Sequence, residues 1–196
     1  MNLNHVLERL RQARYLIARS PGLYRKRDFS INRNDWSDYH FYVYTTSLAS
    51  VLDCTLLITA EVFMLGLQPR HCTFDVITQH GWLAGSPLPR ALRALKKSLE
   101  HHIHRRHRFV HRGEESSFDD LTDPDDLLQL RTLTFLSDRG SDLIPRHTLS
   151  SIWKLQIREV RDNLDAIETE VLQKASDVLG YLLPVYEKYA ASFKVQ

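Results

Sequence analysis

The chain of 196 residues is poor in the residues that break helices: it has seven glycines and seven prolines. They cluster between periodic segments, which predicts few and long helices. Cysteine is scarcer still, with only Cys54 and Cys72. Neither belongs to a C-x-x-C pair, so a disulfide framework and a zinc ribbon are both excluded. Both are expected to be free, buried thiols in a reducing compartment. No charge of one sign dominates. Lys plus Arg is 26 and Asp plus Glu is 24, a formal net charge of +2, which argues against general coating of DNA. There is no uninterrupted hydrophobic run of membrane-spanning length. The most apolar stretch, Leu48 to Leu67, is broken by Asp53 and Glu61. The first residues lack the apolar core of a signal peptide, so a cytoplasmic protein with no membrane contact is expected.

What is present is helical periodicity. A first helix is expected from about Leu3 to Arg19, and a loop rich in Arg, Lys and Asn follows. A long second helix is capped by Asn34 or Asp35 and ends at Gly66. Its stripe is Tyr44, Leu48, Val51, Thr55, Ile58, Val62 and Leu65, spaced by threes and fours. A short helix near Phe74 to His80 comes next. Ser86 as cap and Pro87 at the first position then open another helix. Its stripe is Leu88, Leu92, Leu95, Leu99, Ile103, Arg106 and Val110, and Gly113 ends it. Asp123 and Pro124 open a further helix to about Asp138. The last runs from about Thr148 to Tyr189 on a near-heptad seam from Trp153 to Tyr186, with a kink expected at Pro184. The fold class is therefore all-α: an up-and-down bundle of four main long helices plus short extras, as a single domain over residues 1–196.

Charge is unevenly placed along this scaffold. Residues 101–112 carry four Arg and five His with no acid, whereas residues 114–126 carry seven acids with no base. The acidic stretch has no EF-hand spacing and reads as a solvated, helix-capping loop. The basic one, Arg105-Arg106-His107-Arg108-Phe109-Val110-His111-Arg112-Gly113, holds the chemistry. Arginine grips a phosphate with two parallel hydrogen bonds, and histidine moves protons near neutral pH. Together they suffice to cleave a phosphodiester without a cofactor. On the helical stripe, Arg106 is expected to face the bundle, where an unpaired cation is costly.

A metal site is the competing reading. His104, His107 and His111 share a helix face, with Glu114, Asp53 or Glu61 as further ligands. The surrounding arginines, Arg105, Arg106, Arg108 and Arg112, oppose a divalent cation, and the His-Glu-x-x-His pattern is absent. No metal or other cofactor is expected. The aromatic run Trp36, Tyr39, Phe41, Tyr42 and Tyr44 reads as core plus interface, with base stacking as the alternative. Arg25-Lys26-Arg27 and Arg33 read as a solvated loop or a contact to an RNA backbone.

The segment Arg106-His107-Arg108-Phe109-Val110-His111 resembles the Arg-x(4–6)-His motif of the HEPN superfamily, the higher eukaryote and prokaryote nucleotide-binding domains. The polar residue after the arginine, the apolar pair before the histidine and the glycine soon after it are also similar. Arg105 fits the permitted spacing as well. The tyrosine that follows the motif in one toxin branch is absent, with Arg112-Gly113 in its place. The resemblance implies a metal-independent endoribonuclease, a homodimer in which two Arg/His pairs face one cleft. Arg106 would hold the scissile phosphate. His111 would move the proton as the RNA 2′-hydroxyl attacks phosphorus. Arg105, His107, Arg108 and Arg112 would support them. Asp53 and Glu61 read as helix-surface or hydrogen-bonded residues, with a role as acidic partner of Arg106 as the alternative. RNA is the implied substrate. A role in a toxin–antitoxin or phage-defence system, with an antitoxin protein as partner, is implied too. The alternative is a non-catalytic helical module that binds nucleotide, RNA or a protein.

Overall fold

A computed structural model describes residues 2–19, 24–25, 30–31, 33–112, 132–133 and 145–193. The elements are helices α1 (Leu3–Ile17), α2 (Arg33–Val62), α3 (Phe74–Thr78), α4 (Leu88–Arg112) and α5 (Arg146–Phe193), with 3₁₀ turns at Pro69–His71 and Gly81–Leu83. The chain is all-α as expected, apart from a two-residue antiparallel ladder of Tyr24–Arg25 on Ser30–Ile31. Such a ladder is too short to leave an alternating pattern in the sequence. The helix expected over residues 123–138 lies outside the described residues, except that Thr132 and Leu133 are helical.

The helix ends differ instructively from the expectation. α2 closes before Gly66. Leu65 N–H donates to the Ala60 carbonyl at 2.9 Å and Met64 N–H to that of Glu61 at 3.0 Å, while Met64 itself takes a φ of 48°. This is a Schellman end with methionine in the left-handed position that glycine usually fills. At the start of α4, Ser86 Oγ turns back to donate to the Leu83 carbonyl. The Pro87 carbonyl accepts from Arg90 and Ala91 N–H, so Pro87 rather than Ser86 stands at the cap. α5 continues through Pro184 to Phe193, four residues beyond the expected end.

The chain divides into two compact units, each assembled from non-adjacent segments; α1, α2, α4 and α5 contribute to both. The first comprises residues 1–7, 46–104 and 168–196. Its core is Leu48, Val51, Leu52 and Leu56 of α2, Leu88, Leu92, Leu95 and Leu99 of α4, and Val171, Val178 and Leu182 of α5. Thr55 and Thr59 are buried in α2 because their hydroxyls donate to the carbonyls four residues back, at 2.7 and 2.8 Å. The segment Asp35–Val62 has the length and hydropathy of a membrane span. Most of its most apolar window is buried inside the protein, as in a core helix.

The second unit comprises residues 8–45 and 105–167. Leu10, Ala13 and Ile17 of α1, Phe41 and Tyr44 of α2, and Val160 and Leu164 of α5 are among its buried residues. Polar bonds tie its helices together. Tyr44 Oη donates to the Leu164 carbonyl at 3.0 Å. Trp36 Nε1 donates to the Leu16 carbonyl at 2.9 Å. Arg14 pairs with Asp165. The seam of α5 is therefore buried at Val160, Leu164, Val171, Ala175, Val178 and Leu182, but Tyr186 stands 58% exposed.

Candidate functional site

The Arg/His segment occupies the last two turns of α4. The helix is unbroken to Arg112, which excludes the local fraying near Val110 that would let Arg106 and His111 converge within one chain. Residues five apart on a continuous helix point about 140° away from one another. The two positions therefore do not share a face of α4.

The inward phase of α4 also differs from expectation. After Leu99 the buried positions are His102 and Arg105, not Ile103 and Arg106; Arg105 is 6% exposed and Val110 is 55% exposed. Arg106 is half-buried, one step of about 100° round the helix. The reason is that the stripe advances by three residues twice in succession, and it does so onto polar residues. A reading that follows apolar side chains drifts to the wrong face. Arg105 is tolerated inside because its guanidinium lies 5.0 Å from the centroid of the Phe41 ring, and Phe41 is completely buried. A cation over an aromatic face keeps part of the stabilisation it loses on leaving water.

Four residues on, Phe109 stacks against Tyr42, with ring centroids 3.9 Å apart and planes tilted by 33°. Arg105 and Phe109 thus anchor the end of α4 on neighbouring rings of α2, within the second unit. The aromatic run supplies these anchors, with Phe41 and Tyr44 in the core; Tyr39 is mostly exposed and Trp36 is half-buried. The role of Phe41 and Tyr42 as partners of Arg105 and Phe109 was not legible in the sequence, because nothing local marks which aromatic meets which helix. With α4 held this way, Arg106 sits at the edge of the buried face, and His107 and Arg108 are exposed. The side chains of His111 and Arg112 lie outside the described residues, as do Glu114 and the acidic stretch.

Asp53 is half-buried and Glu61 exposed on α2. Both belong to the first unit and Arg106 to the second. Among the described residues no group of three or more His, Cys, Asp or Glu is placed to hold a metal ion. Burial pushes both thiols up, with Asp53 adding to the effect at Cys54 and Glu61 at Cys72. Cys54 is buried as expected, whereas Cys72 is only half-buried. His40 is buried against the edges of Trp36 and Tyr39, at ring centroid distances of 4.5 and 5.2 Å, and burial lowers its pKa below the ordinary 6.5. It is a core histidine.

What remains is a helix end with a half-buried arginine, exposed basic neighbours and a histidine five residues further on. No curated protein and no solved structure matches the chain. The Cthe2314-like HEPN family matches residues 1–174. That match spans most of the chain and includes the whole Arg/His segment, and with the all-α fold it shows that the chain belongs to the Cthe2314-like HEPN family.

Proposed function

We propose that the chain is a metal-independent endoribonuclease that works as a homodimer, with Arg106 and His111 as catalytic residues. The observation that carries this reading is the unbroken end of α4, anchored by Arg105 on Phe41. It places positions 106 and 111 on different faces of one continuous helix. A site using both groups then takes the arginine from one copy and the histidine from another, as a two-fold axis provides.

In this site Arg106 grips the scissile phosphate and stabilises the charge that builds on its non-bridging oxygens. His111 takes the proton from the RNA 2′-hydroxyl. The 2′-oxygen bonds to phosphorus, the bond from phosphorus to the 5′-oxygen breaks, and a proton is delivered to the leaving oxygen. The products are a 2′,3′-cyclic phosphate and a 5′-hydroxyl. His107, Arg108 and Arg112 add positive charge along the RNA backbone, and Arg105 supports Arg106 by fixing the helix. The enzyme acts in the cytoplasm, as a toxin or phage-defence component restrained by an antitoxin protein.

The test is cleavage of single-stranded RNA by the purified chain in EDTA, with an all-deoxy strand as control. RNA is expected to be cut and the deoxy strand to survive. Arg106→Ala and His111→Ala are each expected to lose about 100-fold or more in rate while keeping the helical circular dichroism of the parent. Undiminished cleavage by both variants, or none by the parent, overturns the reading.

A further inference from the structure

A site shared between two copies requires a face on which they meet, and the end of α4 offers one. Directions around the helix are counted from Arg106. At about 100° per residue, position 111 falls about 140° away, and of the positions between them only two lie inside that arc: Val110 at about 40° and His107 at about 100°. The opposite side of the helix is taken. Arg105 and Phe109 fall there, about 100° and 60° back from Arg106, and they rest on the Phe41 and Tyr42 rings of α2. A second copy that completes a site with either Arg106 or position 111 therefore approaches over His107 and Val110, and both are exposed. Val110 is out of character for this surface. It is 55% exposed, and among the described residues no other large apolar residue of α4 is exposed. A lone surface valine is ordinary in itself; this one stands within the arc that the second copy has to cover.

A two-fold axis can set this face against itself in two ways. With the axis across the helices, the two copies of α4 run antiparallel. Position 106 is then level with position 111 of the partner, but the two fall on opposite sides of the helix pair. With the axis along the helices, the copies run parallel. Positions 106 and 111 of the partner then fall on one side of the pair, offset by five residues, or about 7.5 Å. An arginine side chain and a phosphate group together fill such an offset. The parallel pair alone brings both groups to one phosphodiester, and it sets each residue level with its own copy. We propose that Val110 packs on the partner's Val110 across a two-fold axis that runs along α4, with His107 beside the partner's His107 one turn earlier. This contact lines up Arg106 with the partner's His111. It rests on the ribonuclease reading and adds to it the face and the direction of the pairing.

Three variants of the full chain test it. Val110→Cys, made with Cys72→Ser because Cys54 is buried, is expected to give a disulfide-linked dimer on mild oxidation, as two α-carbons within about 7 Å allow. Lys97→Cys on the same background carries a spin label at an exposed position and reads the direction. Parallel helices leave the two labels about 25 Å apart or less, whereas antiparallel ones put them about 35 Å apart. Val110→Asp sets two like charges face to face. It is expected to weaken the dimer about tenfold or more in sedimentation while keeping the parent circular dichroism. Its RNA cleavage should fall with the dimer and return as the protein concentration is raised, which the rate of Arg106→Ala should not do. Failure of Val110→Cys to link, labels about 35 Å apart, or a Val110→Asp variant that dimerises like the parent overturns the proposal. A parent that links and labels as expected yet cuts no RNA in EDTA contradicts the ribonuclease reading alone. A parent that cuts RNA, with dimer and cleavage both unchanged in Val110→Asp, contradicts this inference alone.

Discussion

Arg105 and Arg106 are adjacent, chemically identical and assigned to different tasks by about 100° of helix rotation. Arg105 is buried over Phe41, so Arg105→Ala removes both a cation from an aromatic face and packing from the core. We expect a loss of about 1–3 kcal/mol in the free energy of unfolding, read by urea denaturation. Arg106→Ala should cost less than about 1 kcal/mol and instead abolish RNA cleavage. If the stabilities fall the other way round, the inward phase of α4 is wrong. His40 makes a second residue-scale prediction. Its folded pKa is lowered by burial, so as pH falls through 6.5 the unfolded chain takes up a proton first. The stability that neutral His40 supports is full above that pH and drains away below it. The thermal midpoint should fall on going from pH 7 to pH 5, and His40→Asn should flatten that fall. An equally steep fall in the variant would show that other groups are responsible.

Helices are where sequence and structure agree best, because a stripe of leucines at threes and fours states its own period. The stripe Leu88, Leu92, Leu95 and Leu99 is buried as expected. The agreement fails where the buried face becomes polar. His102 and Arg105 carry the α4 stripe on, and no apolar residue announces it. Caps fail for a related reason: they depend on local hydrogen bonds that several neighbours are equally equipped to make. Ser86 carries the right side chain for a cap but donates back to Leu83. Gly66 has a positive φ, yet the α2 end is made two residues earlier. Met64 takes the left-handed conformation there, at a cost that glycine would not bear. Met64→Gly should stabilise the protein by about 1 kcal/mol, measured by denaturant unfolding. A destabilised variant would mean that the methionine side chain contributes more through packing than the backbone loses.

At the scale of the whole molecule, the sequence alone carried the family-defining segment but not the geometry that makes it work. Arg106 and His111 sit five residues apart in the chain, and that nearness suggests a pair. An unbroken α4 converts the same spacing into opposition. Under the proposed ribonuclease reading the catalytic pair is thus a property of an assembly and not of one chain. This claim has a direct test, because two inactive variants can repair each other only if the site is shared. Arg106→Ala and His111→Ala are purified separately, mixed, allowed to exchange subunits, and assayed for RNA cleavage in EDTA. Random exchange makes half of the dimers mixed, each with one intact site of two, so the mixture should recover about a quarter of the parent activity. A mixture as inactive as its components, with subunit exchange confirmed, would contradict a site built from Arg106 of one copy and His111 of the other.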